Sequence, residues 1–186
     1  EGSAQDFTII VLPDTQYYSQ SYPGTFDAQT QWIVNKKDEL NIVHVVHVGD
    51  IVDDSEPGNT SHIAQWNNAD AAMSLLEDPL TTSLADGIPY GISPGNHDQW
   101  PVGNPDGTEL YNFYFGKSRF LGRRYYGGHY GIDNDNHYSL FSASGMDFIV
   151  VYLEFDPVAN PAVLAWADDL LTKYGNRRAI VVSHYL

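Results

Sequence analysis

The chain has 186 residues, a length that suits one domain with a continuous hydrophobic core, and we expect a single domain over residues 1–186. Its formal net charge of −15 makes free association with nucleic acid or with anionic membranes unfavourable. The absence of cysteine excludes disulfides and thiolate metal sites, and no apolar run approaches the roughly 20 residues of a membrane span.

Hydrophobic patterning predicts an α/β fold, in which strands and helices alternate along the chain. The second strand is rich in valine and isoleucine throughout, which indicates cover on both faces, as in a parallel sheet. Ser61 is the expected cap of the second helix, and Pro79 is expected to stop it. In chain order we predict a strand at 7–12, a helix at 26–40, a strand at 42–48, a helix at 63–76, a strand at 89–92, a hairpin of 138–141 with 147–155, a helix between Asn160 and Gly175, and a strand at 179–182.

Residues 99–137 lack such a pattern and are dominated by glycine, asparagine, proline and aromatic residues. This segment also carries four of the nine basic residues, Lys117, Arg119, Arg123 and Arg124. Long irregular segments in compact domains are often functional loops. We expect a lid or rim beside an active site.

Four short polar clusters follow predicted strands at the point where each strand stops. Because side chains past the carboxyl ends of parallel strands converge in one crevice, these distant clusters can form one site. A single cluster of this kind is more often a turn or a helix cap, but four in this order predict a metal centre. The clusters are Asp14-Thr15-Gln16, Gly49-Asp50-Ile51-Val52-Asp53, Gly95-Asn96-His97-Asp98 and Ser183-His184.

The chemistry of these residues indicates which cation each of them could bind. Asp50 has no role in an apolar core and could bridge two cations, which a shared carboxylate holds about 3.5 to 4 Å apart. Asp14 and Gln16 could hold the first cation together with Asp50. Asn96 and His184 could hold the second.

His97 is the candidate general acid, because it follows a predicted metal ligand and could protonate a departing ester oxygen. Asp53 could accept a hydrogen bond from the other ring nitrogen of His97 and keep the ring protonated. We therefore assign both residues to the predicted catalytic machinery.

These motifs, in this order, closely resemble the calcineurin-like metallophosphoesterase family, whose pattern is Asp-x-His, Gly-Asp-x-x-Asp, Gly-Asn-His-Asp/Glu, a lone His and Gly-His-x-His. The resemblance implies a four-layer α/β/β/α sandwich and two divalent ions, with Mn, Fe or Zn favoured and Mg or Ca as alternatives. It also implies a hydrolase, either phosphatase or phosphodiesterase, in which a metal-activated hydroxide attacks phosphorus. Asp50 would be the bridge, Asp14 and Gln16 would hold one ion, Asn96 and His184 the other, and His97 would be the acid.

The sequence departs from the family pattern at both metal sites. Gln16 replaces the usual histidine, as in an Asp-x-Gln branch of the family, and an amide oxygen suits harder cations. The final Gly-His-x-His motif is absent. We therefore expect a C-terminally incomplete domain from a longer protein that contains other domains, with weak metal binding and slow turnover.

A further departure concerns phosphate recognition. Asp54 stands where the protein phosphatases of the family have an arginine, which disfavours a phosphoprotein substrate and favours a small phosphate ester. Any basic group that binds phosphate must come from elsewhere, and Arg123, Arg124 and His129 are the candidates. A solvated loop surface is the competing interpretation of the two arginines.

Two alternatives to this enzyme remain open. The same scaffold could be a non-catalytic module that binds structural cations and a glycan or protein, or a nuclease, although the acidic composition fits a nuclease poorly. The opening residues Glu1-Gly2-Ser3-Ala4 lack an initiator methionine, from which we expect a processed, secreted protein.

Overall fold

The structure is a computed structural model that describes residues 6–185, so the opening segment Glu1-Gly2-Ser3-Ala4 lies outside the described residues. Strands and helices alternate as the patterning predicts. The elements are β1 (Thr8–Leu12), α1 (Gln16–Ser21), α2 (Pro23–Lys36), β2 (Ile42–His47), α3 (Thr60–Ser74), α4 (Pro79–Thr82), β3 (Tyr90–Ile92), α5 (Glu109–Phe115), α6 (Lys117–Phe120), β4 (Tyr126–His129), β5 (His137–Ala143), β6 (Met146–Leu153), α7 (Pro161–Lys173) and β7 (Arg178–Ser183).

The strands form two sheets. The first has the order β1-β2-β3 and is entirely parallel, so the carboxyl ends of its three strands lie at one edge. The second has the order β4-β5-β6-β7, in which β6 and β7 are parallel and the other neighbouring pairs are antiparallel. The predicted hairpin is confirmed as β5 and β6.

The two sheets pack face to face through Val46, Val150, Tyr152 and Val182. Tyr152 crosses the gap between the sheets, and its hydroxyl lies 2.7 Å from His44 Nε2. Its ring leaves no room for a side chain at Gly91, where a Cβ would lie 2.4 Å from Tyr152 Cζ. The sheets therefore approach closely enough to exclude solvent from most of their facing surfaces.

Helices cover the outer faces of both sheets, which confirms the α/β/β/α arrangement. Phe26 and Ile33 of α2 and Trp66 of α3 belong to the large core cluster of the first sheet. Ala167 and Leu170 of α7 pack on the second sheet. Burying a large apolar side chain contributes about 1.5 to 3 kcal/mol, so these helices supply much of the stabilisation.

Several helix boundaries differ from the prediction because local capping was misread. The helix predicted at 26–40 is α2, which begins at Pro23, where proline suits the first turn, and ends at Lys36. Asn59, not Ser61, caps α3 by accepting a hydrogen bond from the Ser61 main-chain N–H at 3.1 Å. Pro79 does not only end a helix: it starts α4 after the Asp78 cap.

The short helix α1 at Gln16–Ser21 was not predicted.

The segment 99–137 contains α5, α6 and β4, so its predicted lack of secondary structure is wrong. Four of its aromatic residues, Tyr111, Phe115, Phe120 and Tyr125, lie in the large core cluster. Aromatic burial therefore orders a stretch whose glycines and prolines hid its periodicity. Its role as a lid or rim stays a prediction. Among residues 6–185, no helix combines the length and the apolar character that crossing a membrane requires.

Candidate metal centre

The predicted site residues follow four strands that end at the same side of the sandwich. Asp14 follows β1, Asp50 follows β2 and Asn96 follows β3, while His184 follows β7 of the second sheet. The site thus lies where the two sheets meet, and the parallel strand directions place it there.

Asp50 is the central residue of this crevice. It is 3% exposed and has a positive φ of 49°, in the left-handed region that aspartate tolerates better than most residues. Its Oδ1 accepts a hydrogen bond from the His97 main-chain N–H at 2.8 Å. Its Oδ2 lies 3.1 Å from His184 Nε2. One carboxylate therefore connects side chains and backbone from both sheets.

Gly95 explains how the second and third clusters come so close. A Cβ at this position would lie 2.2 Å from Asp50 Oδ1 and 2.4 Å from the Asp50 main-chain nitrogen. Only a glycine leaves space for the carboxylate, so the sequence Gly95-Asn96-His97 can wrap around Asp50.

Asp98 braces the turn that carries Asp50. It is fully buried, and its Oδ1 accepts hydrogen bonds from the N–H groups of Ile51 at 2.9 Å and Val52 at 3.2 Å. Its Oδ2 accepts a third from the Gly95 N–H at 2.8 Å. Burial, followed by the negative charge of Asp50, raises the pKa of Asp98 to about 7. We infer that Asp98 holds the second and third clusters in register.

Asp14 and Gln16 form a local pair at the start of α1. Asp14 Oδ1 accepts from the Gln16 main-chain N–H at 3.0 Å, and Asp14 Oδ2 accepts from Gln16 Nε2 at 2.9 Å. The Gln16 Oε1 atom is buried and has no hydrogen-bond partner among the described residues. A buried amide oxygen without a partner costs free energy, and a bound cation would satisfy it.

His97 lies at the edge of the crevice, with its Nδ1 2.6 Å from the main-chain carbonyl oxygen of Asp53. Because a carbonyl only accepts, Nδ1 carries the hydrogen and Nε2 is left for proton transfer. The Asp53 carboxylate is 3.8 Å from Nδ1, beyond hydrogen-bond range, and accepts instead from Gln20 Nε2. The expectation that this carboxylate holds His97 is therefore wrong, because the main chain of Asp53 takes that place.

His184 and His47, which both feel the charge of Asp50, have opposite pKa shifts. The hydrogen bond to Asp50 raises the pKa of His184, although burial opposes the rise. His47 is fully buried, and burial lowers its pKa to about 3. His47 Nε2 lies 2.9 Å from the Thr15 hydroxyl, and its Nδ1 accepts from the Gly49 N–H at 3.1 Å. Neutral His47 therefore links the first two clusters through its hydrogen bonds with Thr15 and Gly49.

Among residues 6–185, no three or more His, Asp or Glu side chains lie together in a group that could hold an ion. The structure brings Asp50 and His184 together, and beside Asp14 it leaves the Gln16 oxygen buried without a partner. Carboxylate, imidazole and amide groups fit a hard or borderline divalent cation. The donor chemistry thus fits the implied ions, with fewer histidines than the family pattern has.

The structure does not bring the predicted phosphate-binding arginines to this crevice. Arg123 binds the Asp86 carbonyl oxygen at 2.8 Å, and Arg124 binds the Asp86 carboxylate at 2.7 Å. Asp86 precedes β3, so both arginines lie at the amino ends of the strands, opposite the crevice. Their assignment to substrate is corrected, because each has a partner at that opposite end.

His129 ends the edge strand β4 and pairs in register with His137 of β5. Burial, followed by the charge of Lys117, lowers the pKa of His129. Two strands, β5 and β6, lie between β4, which ends at His129, and β7, which His184 follows. Its predicted contact with substrate stays a prediction.

Sequence reasoning missed several residues that shape the crevice. Asp98 was visible in the third cluster, where an aspartate after Gly-Asn-His could have been read as a backbone acceptor. Gln20 was one helical turn beyond Gln16, but α1 itself was not predicted. Gln65 Oε1 accepts from the Asp53 N–H at 2.8 Å across a gap of twelve residues, for which no sequence signal exists.

Comparison with known proteins gives one family match. The model of a family described as calcineurin-like phosphoesterase matches residues 7–185. The chain is also similar to the uncharacterized protein YvnB of Bacillus subtilis (strain 168), with 42% identity over 179 residues. That alignment covers 96% of this chain but only 12% of the Bacillus protein, so the chain spans about an eighth of its length.

Among solved structures, a dimetal phosphatase from Danio rerio aligns with a TM-score of 0.49 and 16% identity, over 96% of this chain and 69% of that one.

Proposed function

The chain belongs to the calcineurin-like phosphoesterase family, and from this premise we propose that it hydrolyses small phosphomonoesters or phosphodiesters with the help of two divalent metal ions. The observation that carries the proposal is the position of Asp50. Its carboxylate is buried at the junction of the two sheets and faces His184 on one side and the His97 backbone on the other.

We assign the metal ligands from this arrangement. Asp14, Gln16 and Asp50 would hold one ion, and Asp50, Asn96 and His184 would hold the other. The bound ions would neutralise phosphate charge and lower the pKa of an attacking water. Asp98 keeps Asp50 in place through its three backbone hydrogen bonds.

His97 is the proposed general acid. Its Nδ1–H donates to the Asp53 carbonyl oxygen, which fixes the ring and leaves Nε2 as the atom that carries a proton to the leaving oxygen. The Asp53 side chain is not required for this orientation. Basic side chains contribute little, because Arg123 and Arg124 lie at the opposite end of the strands.

Hydrolysis of an aryl phosphomonoester and an aryl phosphodiester, measured with Mn, Zn, Fe, Mg and Ca, tests the proposal. Asp50→Asn is expected to lower kcat by about a thousandfold or more, since ligands of one centre act as a unit. His97→Ala is expected to lower it by about a hundred- to ten-thousandfold. Asp168→Asn, on the exposed face of α7, is the matched control and should leave kcat unchanged.

Asp53→Asn tests whether the main-chain carbonyl or the side-chain carboxylate of Asp53 orients the His97 ring. If the main chain orients His97, this variant loses less than about tenfold in kcat, far less than His97→Ala. Unchanged turnover in Asp50→Asn would refute the metal centre. Thermal stabilisation by Ca without turnover of either ester would instead support the non-catalytic cation-binding module.

A further inference from the structure

Phe155 lies directly beside the Asp50–His184 pair. It follows β6, and its N–H donates to the Pro94 carbonyl oxygen at 2.8 Å, next to the third cluster. Its ring stands edge-on to His184, with the centroids 6.4 Å apart. A second edge-on contact, at 5.2 Å, joins it to Tyr185. The ring therefore occupies the border of the crevice on the side of the second sheet.

The loop 100–107 reaches the same border from the first sheet. The Gly103 N–H donates to the Asn96 carbonyl oxygen at 2.9 Å, which ties the loop to a proposed metal ligand. A Cβ at Gly103 would lie 3.7 Å from Phe155 Cε1, so the loop passes next to the ring. In this loop, Val102 is 46% exposed, and Trp100 is 37% exposed. The loop thus adds exposed apolar side chains close in sequence to Asn96 and Gly103, while Phe155 lies against His184.

The opposite border of the crevice has a different chemistry. Asp14 is paired with Gln16, and Asp53 with Gln20, so carboxylates and amides form this border. An apolar group would lose water there without gaining apolar contacts. An organic group attached to a phosphate in the crevice is therefore better accommodated on the Phe155 side.

The charges near Phe155 restrict that organic group further. Glu154 and Asp156 flank it in sequence, and Asp106 ends the loop that contacts it. Burial, followed by the charge of Asp135, raises the pKa of Glu154 to about 8. Arg119 and Arg177 lie far from Phe155, near the amino ends of β3 and β6. Because its pKa is raised, Glu154 is mostly protonated near pH 7, so a second phosphate or carboxylate on the substrate would meet the like charge of Asp106 and Asp156.

We propose that Phe155, together with Val102 and Trp100, forms the contact surface for the organic group of the substrate and selects phosphate esters of apolar, non-anionic alcohols. The inference rests on the proposed function and deepens it. Phe155 is a specificity residue, since it contacts the alcohol portion and not the phosphorus.

Benzyl phosphate and methyl phosphate test this selection, because their alcohols differ in apolar area but little in acidity. The quantity is the ratio of kcat/KM for benzyl to methyl ester, with Mn supplied. Phe155→Ala is expected to lower this ratio about tenfold, mainly through KM for the benzyl ester. Phe155→Leu keeps apolar bulk and should lower it less. Val158→Ala is the control. It removes apolar area from the segment between β6 and α7 that contains Phe155, at a side chain that is 85% exposed, and should not change the ratio.

Binding measured without turnover gives a second readout. Benzylphosphonate should bind the wild-type chain more tightly than methylphosphonate, and Phe155→Ala should remove about tenfold of that preference in calorimetry. A propanediol bisphosphate, which adds an anionic group, should be a poorer substrate than methyl phosphate.

The outcomes separate the inference from the proposed function. If Phe155→Ala lowers kcat/KM for both esters equally, the ring only positions His184 and the inference is overturned while the function stands. If the wild-type chain hydrolyses neither ester with any metal and binds neither phosphonate, the proposed function fails and the inference fails with it.

Discussion

The two ends of the strands use acidic residues in opposite ways. At the amino ends, carboxylates are neutralised: Glu77 Oε1 lies 2.8 Å from Arg119 Nε and 3.0 Å from Arg123. At the crevice end, Asp98 and Glu154 are buried beside other carboxylates, and burial is the main cause of their raised pKa values. The first arrangement stabilises the fold, whereas in the second the ionised form of each acid is disfavoured until a cation binds nearby.

The largest expected effect comes from filling the space beside Asp50. Gly95→Ala would place a methyl group 2.2 Å from Asp50 Oδ1, so the carboxylate or the turn must move. We expect kcat to fall by about a thousandfold or more, because misplaced ligands disable the centre as a unit.

Gly24→Ala provides the control for this substitution. It lies near the start of α2 with nothing within 4 Å of the added Cβ. Circular dichroism establishes whether each variant is folded, and calorimetry with Mn measures its metal binding. A folded Gly95→Ala variant with normal turnover would show that the crevice is looser than its geometry indicates.

At the opposite end, removing Arg119 should affect stability and not turnover. Its guanidinium contacts Asp70, Glu77, the Tyr90 hydroxyl and the face of the Phe115 ring. Arg119→Ala leaves Asp70, whose side chain is 42% exposed, without this ion pair, whereas Glu77 keeps Arg123. We expect a loss of about 1 to 3 kcal/mol in the free energy of unfolding.

Urea denaturation measures this loss, and Arg178→Ala, an exposed arginine of β7, is the control. At a temperature where Arg119→Ala is still folded, its kcat should match that of the wild-type chain. A specific loss of kcat would contradict the separation of the two ends.

The raised pKa of Glu154 at the crevice end should make the free energy of unfolding depend on pH. The folded-state pKa of Glu154 is raised to about 8, above its ordinary value of 4.5. The folded state therefore holds this proton more tightly than the unfolded state, and stability falls as pH rises from about 4.5 to 8.

Glu154→Gln removes that dependence. Measured without metal, the variant should gain stability relative to the wild-type chain across this pH window and then level off. The difference between the two urea titrations at each pH isolates Glu154 from other titrating groups. A difference in stability that does not change with pH would mean that folding does not raise the pKa of Glu154.

The smallest effect is expected for Arg124→Ala. Its side chain is 81% exposed and pairs with Asp86 at the amino end of β3, so solvent screens the pair. We expect no measurable change in KM or in thermal stability. An increase in KM confined to this variant would show that Arg124 reaches the substrate, against the geometry described above.

Local sequence patterns predicted much of the fold because strands and their ends carry strong signals. The apolar run before Asp50 and the proline and asparagine that open α7 are readable without tertiary information. Patterning failed where order comes from distant contacts: α1 is short, and α5 and α6 are held by aromatic burial in the core.

For the site, the sequence by itself determined the kinds of donor and their order: Asp14, Gln16, Asp50, Asn96, His97 and His184 follow strands, and strand direction sends them to one edge. Only the tertiary structure decided which atoms meet. Packing of the two sheets places His184 against Asp50, and the turn after β2 directs the Asp53 carbonyl, not its carboxylate, towards His97. It also sends Arg123 and Arg124 to the far end and brings Phe155 to the crevice. These outcomes depend on how separate segments pack in three dimensions, and spacing along the chain carries no record of that packing.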